Sequence, residues 1–509
     1  MKWRDFAAGR RFKTADGQSS PAPTPRTLAP RVRTAQDIGI GRAGRIGKLG
    51  SWFLRPEVEA ALDRETQSST TTGNHVNLLV NGVASQAQRL NNIRTAHEVF
   101  LKTYIIREDE TWADIRKALM ARVKARRPVY LQYDYKGYYG ARIGHLVANW
   151  VANRVGGRHQ IPRVFAAMLA EAKAAGCERF LTIIPSQSTR MVGRDHEKYL
   201  VTWRRGEPAR AIMGGMNVGD EWAFGGDPNR RPAVFRGLPG LRDTDVEVRG
   251  PAVQQILSEF VFDAGRALKE LRHLRGGYDA EKHQRLLHSQ LRVDRAREAY
   301  RSHGSEQVRF IANRPEQKEK GQYIEKLYIE LLGRVPKGDT VTLVSPFFLP
   351  TDRLLDAIKS AAERGVKFVI VQNHNRSAEA AFRIVARAAR DLNRRLLRDF
   401  PGQIKVFYWA GNERRGLSSS HQKIAQFGVG GPILFGSSNL DARSLVHNTE
   451  GAILVHGAGS KLAAQVARMF QSDWSMNAVY EASHESFERD PWFARLFQSA
   501  LRRLGRNYL

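Results

Sequence analysis

The chain carries one short pattern twice, and that repetition constrains its fold more than any other feature. The first copy is His196-Glu197-Lys198-Tyr199-Leu200-Val201, followed by AIMGGMN ending at Asn217. The second is His421-Gln422-Lys423-Ile424-Ala425, followed by ILFGSSN ending at Asn439. Each reads as a strand bearing H-x-K, a turn, and a second strand closing on G-G/S-x-N. The turns, Arg205-Gly206-Glu207-Pro208 and Gly428-Val429-Gly430-Gly431-Pro432, are hairpin material. A lone H-x-K carries little information. Two copies with both parts in the same order, each after a matching strand–helix–strand region, imply one unit present twice.

The surrounding periodicity agrees. From residue 74, VNLLV, EVFLKTYII and PVYLQYD read as strands, while SQAQRLNNIRTA and TWADIRKALMARVKAR read as helices, the second opened by a Thr cap. After residue 319 the order returns: GQYIEKLYIELLGRV helical, TVTLVSPFFLP a strand, TDRLLDAIKSAAERG a helix, KFVIVQN a strand, a long basic helix, and QIKVFYWA a strand. This alternation predicts an α/β fold with parallel strands covered by helices. The expected organisation is a basic N-terminal arm and linker at 1–73, a first lobe at 74–250, a basic helical connector at 251–318 and a second lobe at 319–509. Residues 1–50 hold eleven Lys/Arg against three acids and are rich in Pro and Ser, the composition of a flexible arm. A short helix is expected at 56–64, and SSTTTG at 68–73 reads as a linker.

Composition narrows the partners. The 509 residues carry a formal charge of +30, which favours anionic partners: acidic lipid surfaces, phosphorylated substrates or nucleic acid. The single cysteine, Cys177, excludes a disulfide framework or a multi-cysteine metal site. No run approaches the roughly 18 apolar residues of a membrane span, and MKWRDFAAGRRFK lacks the apolar stretch of a secretory signal. The expected location is cytoplasmic, peripheral on the inner face of the membrane.

In a strand, residues i and i+2 share a face, so His196 and Lys198 point one way, as do His421 and Lys423. Two such sets facing each other offer one imidazole to attack and one to protonate, with cations and the amides of Asn217 and Asn439 around an anion. Phosphoryl chemistry asks for that arrangement.

With these motifs the sequence resembles the phospholipase D superfamily and, more closely, bacterial cardiolipin synthases. The likeness is carried in order by 73–82 (GNHVNLLVNG), 194–201 (RDHEKYLV), 214–222 (GGMNVGDEW), 242–253 (RDTDVEVRGPAV), 344–350 (VSPFFLP), 363–371 (ERGVKFVIV) and 436–453 (GSSNLDARSLVHNTEGAI). The resemblance implies two phospholipase D-like α/β/α lobes with pseudo-twofold symmetry and mixed sheets, and one active site between them. It implies ping-pong chemistry in which His196 attacks phosphorus and becomes a phosphohistidine. His421 would protonate the leaving alkoxide and then take a proton from the incoming alcohol or water. Lys198, Lys423, Asn217 and Asn439 would hold the phosphate oxygens, with Ser437 in a lesser part. The resemblance pairs the orienting acids across the lobes, Glu450 with His196 and Asp243 with His421. It implies no cofactor and no metal. The implied activity is a phosphatidyltransferase of cardiolipin-synthase type on a phosphatidylglycerol-like anionic phospholipid. The alternatives are a lipid-directed phospholipase D-type hydrolase and a nuclease. The sequence departs from the family where an aspartate usually follows each histidine by seven residues: Trp203 and Gly428 stand there. Asp245 occupies a position where cardiolipin synthases usually have histidine.

Overall fold

The computed structural model describes residues 52–139, 162–186, 193–233, 237–270, 280–374, 383–456, 461–475 and 479–482. The basic arm expected at 1–50 lies outside the described residues.

Nineteen strands are described: β1 (Thr70–Val80), β2 (Glu98–Thr103), β3 (Val129–Asp134), β4 (Leu181–Ser186), β5 (Tyr199–Trp203), β6 (Arg210–Gly214), β7 (Gly240–Arg242), β8 (Thr244–Arg249), β9 (Glu306–Ala312), β10 (Thr340–Val344), β11 (Phe348–Leu349), β12 (Lys367–Asn373), β13 (Ile404–Trp409), β14 (Leu417–Ser420), β15 (Ile424–Phe427), β16 (Ile433–Gly436), β17 (Leu440–Asp441), β18 (Gly451–Val455) and β19 (Val479–Glu481). Fifteen of them form one continuous sheet in the order β19-β13-β12-β10-β15-β16-β18-β9-β1-β8-β6-β5-β2-β3-β4. Read outward from the β1–β9 junction, each side repeats the other. Three antiparallel neighbours (β8-β6-β5 on one side, β18-β16-β15 on the other) are followed by three mutually parallel strands (β2-β3-β4 and β10-β12-β13). The fold is mixed α/β with a pseudo-twofold relation centred where β1 and β9 pair antiparallel.

Helices cover both faces. On one face Ala252–Glu270 and Lys461–Ser475 close a core that runs across both halves. On the other face the helices Asn81–Thr95, Glu110–Lys124 and Arg163–Ala174 cover the first half, and Tyr323–Arg334, Asp352–Glu363 and Arg383–Asp399 cover the second. The helix at 110–124 is capped by Asp109, whose carboxylate accepts from Trp112 N at 3.2 Å, rather than by the expected threonine. The later helix does start on Thr351, which accepts from Leu354 N at 3.2 Å.

Two segments differ from the sequence reading. The stretch 68–73 is not a linker: Thr70–Thr72 open β1, and Thr70 and Thr71 pair with Arg309 and Val308. Three consecutive β-branched residues favour that outcome. The stretch 251–318 is not helical throughout, because β9 lies in it and continues the sheet. The helix expected at 56–64 spans Pro56–Thr66, and with buried Trp52 and Phe53 it packs into the second half's core. Its anchor is Arg309 on β9, fully buried, with Glu59 and Asp63 each at 2.7 Å.

A buried guanidinium stripped of its counter-charges is strongly destabilising. The double substitution Glu59→Gln with Asp63→Asn is therefore expected to cost about 3 kcal/mol, read as a lower urea midpoint. Adding Arg309→Met is expected to recover part of that loss; no shift in midpoint for the double variant would refute the role of Arg309.

Candidate active site

Both H-x-K tripeptides are extended lead-ins, placed just before β5 and β15. Alternation sends the middle residue of each to the face covered by Ala252–Glu270 and Lys461–Ser475. Gln422 donates to Thr244 Oγ1 at 3.0 Å and to Met469 Sδ at 3.5 Å. Glu197 meets the ammonium of Lys102, which also pairs with Asp263 and, at 3.0 Å, with Asp195. The three carboxylates lie close enough together to hold a cation, and the cation among them is Lys102 itself. With its flanking residues anchored there, the histidine and lysine of the first tripeptide are left facing the other way.

Each histidine is then held by the opposite half of the chain. His196 N donates to Thr449 O at 2.9 Å, and its Nδ1 lies 2.9 and 3.0 Å from the two oxygens of Glu450, the next residue. His421 N donates to Arg242 O at 2.7 Å, and its Nδ1 lies 2.7 Å from Oδ2 of Asp243, again the next residue. One rule places both rings: the backbone pins to the residue before the acid, and the ring pins to the acid. Glu450 and Asp243 are fully buried, while His196 and His421 keep 11% and 18% of their side chains exposed, enough for a substrate to reach the rings. Glycine makes the approach feasible at Gly215, where a Cβ would collide with the Asp243 carboxylate.

The lysines obey a second shared rule. Lys198 Nζ donates to His196 O at 2.5 Å and Lys423 Nζ to His421 O at 2.6 Å. Asn217 is fixed through its carbonyl, which accepts from Ile105 N at 3.0 Å and so orients its amide donor. Asn439 Oδ1 is buried with no hydrogen-bond partner. Neither asparagine hydrogen-bonds a histidine. Ser437 donates to Glu450 and accepts from Gly451 N at 3.1 Å, so its one proton serves the acid rather than the phosphate role the resemblance gave it.

Burial and charge set the protonation states. Burial pushes His196 down to about 3, against the pull of Glu450 and with the help of Lys198. Burial also acts against Glu450's charge, yet His196, Lys198 and Ser437 hold it at about 2. Burial, with Lys423 and Lys198, holds His421 well below the usual imidazole range. Burial raises Asp243 to about 7 against Lys423 and Lys198. It lowers Lys198 to about 7, with Lys423 adding to the effect and Glu450 opposing it. The two sets therefore share one electrostatic field. His196 is neutral, with Nδ1–H directed at an ionised Glu450, the state a nucleophile needs. An arriving phosphodiester anion favours the protonated form of His421.

Sequence reasoning missed several neighbours. Tyr104 packs its ring against His196 at 4.6 Å and lies 5.2 Å beneath Lys198 Nζ. Trp222, inside the quoted GGMNVGDEW stretch, places Nε1 3.3 Å from His421 Nδ1. Asp245 pairs with Arg89 at 2.9 Å, and Arg89 also donates to Met216 O at 2.9 Å, so this pair braces the G-G-M-N loop. The departures at the motif aspartates also have a local setting. Gly428 has φ +90°, and a Cβ there would lie 2.5 Å from Asp339 Oδ2, so a neighbouring carboxylate already fills that space. Asp339 accepts from Thr340 N and Val429 N, both at 2.8 Å. Opposite Trp203 in the β2–β5 ladder stands Glu98, held by Arg292 at 2.8 Å.

Replacing an orienting carboxylate by its amide leaves the imidazole in place but disturbs its tautomer, which in the serine-protease triad costs about 10⁴ in kcat. Glu450→Gln and Asp243→Asn are each expected to lower kcat by roughly 10³–10⁴ with unchanged melting behaviour. A loss under tenfold in either would refute the orienting role.

The comparisons with known proteins fit this geometry. Residues 334–474 match the family model described as "Cardiolipin synthase, PLD-like domain". The cardiolipin synthase of Alkalihalophilus pseudofirmus is 25% identical over 443 residues, covering 84% of this chain and 71% of that protein. Cardiolipin synthase A of Pseudomonas aeruginosa is 24% identical over 420 residues, covering 82% and 70%. Among solved structures, phosphatidylserine synthase from Haemophilus influenzae superposes with a TM-score of 0.57 at 12% identity, covering 85% of this chain and 95% of that one, a likeness of fold. By motif, fold and relatives together, the chain is similar to cardiolipin synthases, with a phospholipase D-like domain matched at 334–474.

Proposed function

We propose that the protein is a phosphatidyltransferase that moves a phosphatidyl group from one phospholipid headgroup to another alcohol, with phosphatidylglycerol as donor. The observation that carries this reading is the crossed anchoring of the two histidines, His196 on Thr449-Glu450 and His421 on Arg242-Asp243. It gives one neutral, oriented imidazole to attack and a second, separately oriented, to move the proton.

In the first half-reaction, His196 Nε2 attacks phosphorus. The P–O bond to the headgroup breaks, and His421 gives its proton to the departing oxygen. In the second, an acceptor hydroxyl attacks the phosphohistidine, His421 takes the proton, and the His196 N–P bond breaks. Lys198, Lys423 and the amides of Asn217 and Asn439 hold the non-bridging oxygens, which carry the developing charge. Among the described residues no helix is long and apolar enough to cross a membrane. The +30 charge supports peripheral attraction to an anionic bilayer surface.

Purified protein incubated with phosphatidylglycerol vesicles is expected to yield diphosphatidylglycerol and glycerol by mass spectrometry. Phosphatidic acid alone would mean hydrolysis instead, and cleavage of added DNA would mean a nuclease. His196→Ala and His421→Ala are each expected to abolish turnover in a folded protein; near wild-type rate in either would refute the assignment.

The pH dependence has a definite sign. As pH rises through about 7, Lys198 loses its positive charge and Asp243 gains a negative one, so the site loses attraction for an anion from both. The kcat/KM for anionic phospholipid is expected to fall above about pH 7, and Lys198→Arg is expected to move that fall to higher pH. A kcat/KM still rising at pH 9 would contradict this.

A further inference from the structure

The two histidines stand in matching places, yet the hydrogen-bonding groups around their Nδ1 atoms do not match. Beside His196, Glu450 offers only acceptors. Its Oε1 accepts from Asn448 Nδ2 at 3.1 Å, and its Oε2 accepts from Ser437 Oγ. Both oxygens also face Nδ1, at 2.9 and 3.0 Å, so the ring donates there. Lys198 Nζ donates to the backbone carbonyl of His196.

Beside His421 the pattern reverses. Trp222 Nε1–H, a group that can only donate, points at Nδ1 from 3.3 Å. The ammonium of Lys423, another pure donor, lies 3.0 Å from the same atom. A ring nitrogen facing two such donors meets them with its lone pair, which excludes a proton of its own. Asp243 Oδ2 is 2.7 Å away, and an oxygen facing a lone pair at that distance bonds to it only as O–H. Oδ1 of the same carboxyl accepts from Thr244 N at 2.8 Å, which leaves Oδ2 to carry the proton. The surrounding charges agree. Burial raises Asp243 to about 7 against Lys423, Lys198 and Arg242. Burial, Lys423 and Lys198 act against charge on His421, with Glu450 opposing them.

We propose that Trp222 is a positioning residue which, with Lys423, keeps Nδ1 of His421 bare at rest, so that the ring holds its proton on Nε2 and Asp243 holds a reserve proton on Oδ2. The two histidines are then opposite tautomers before substrate arrives, His196 with a lone pair on Nε2 and His421 with a proton there. This rests on the transfer reading, to which it adds the route of the proton. As the P–O bond to the headgroup breaks, the Nε2 proton of His421 passes to the departing oxygen and Asp243 gives its proton to Nδ1. The His421 ring stays neutral, and the new Asp243 carboxylate balances the positive charge formed on the phosphorylated ring of His196. When the acceptor hydroxyl attacks, Nε2 takes its proton and Nδ1 returns one to Asp243, so both protons are restored.

The test reads the tautomers directly. In protein labelled with nitrogen-15 in its histidines, the ring signals are assigned by their loss in His421→Ala and His196→Ala. At about pH 6 and without substrate, wild type is expected to show His421 protonated on Nε2 and bare on Nδ1, and His196 the reverse. Trp222→Phe keeps an aromatic ring and removes the N–H. It is expected to move the His421 proton toward Nδ1 and to shift the high-pH fall of kcat/KM down by about one pH unit. If Trp222→Phe does not fold, the wild-type spectrum decides alone. In wild type, a His421 ring protonated on Nδ1, or on both nitrogens, overturns the proposal. A folded Trp222→Phe protein with the wild-type tautomer and pH profile overturns it too. Phosphatidic acid alone from phosphatidylglycerol vesicles overturns the transfer reading, while the tautomers, measured without substrate, still stand.

Discussion

Each motif histidine in this protein is held by a carboxylate from the other half of the chain, and the rest of the architecture serves that crossing. A carboxylate on Nδ1 fixes which nitrogen faces the substrate and stabilises the positive charge that forms on the ring. The backbone bond to the preceding residue, Thr449 or Arg242, fixes where the ring sits. Neither half supplies both elements for its own histidine. A continuous sheet joined at β1–β9 holds the two halves at the constant spacing this requires.

Behind the rings the molecule buries an unusual amount of charge. Lys102 is surrounded by Asp195, Glu197 and Asp263, and Arg242 is bound by Asp473 at 3.0 Å. Buried pairs of this kind add little stability compared with apolar packing, but removing one partner is costly. Their effect here is positional. Asp195 and Glu197 flank His196, and Arg242 precedes Asp243, so each buried pair pins a residue adjacent to the chemistry.

The residues whose placement follows from local spacing were legible in the sequence. The histidines and lysines at i and i+2, the closing asparagines and the strand–helix order depend only on short-range geometry, and the duplicated order announced two similar lobes but not that one sheet runs through both. Register across the sheet was not legible. Tyr104, just past β2, and Arg89, on the helix Asn81–Thr95, reach the site from far away in sequence and no local pattern marks them, while Trp222 lies inside the first motif stretch but its approach to His421 depends on the other half of the chain. Thr70–Thr72 did carry a local signal, β-branching, but the serines and glycine around them read as a linker. Ser437 sits in the motif, yet its hydroxyl is committed to Glu450 by the fold of β18. The carboxylate missing at Gly428 could not be found by spacing either, because Asp339 fills that space from the start of another strand.

The antiparallel β1–β9 seam has an evolutionary corollary. Antiparallel pairing of equivalent edge strands is what a twofold axis between two copies of one half would produce, an isologous interface. A single half would display that edge unpaired and would own a histidine without its acid. Such an ancestor would have been inert alone and competent only as a pair, so association and catalysis would have arisen together. In one chain the two histidines are free to differ in their surroundings, as His196 on a glutamate and His421 on an aspartate already do.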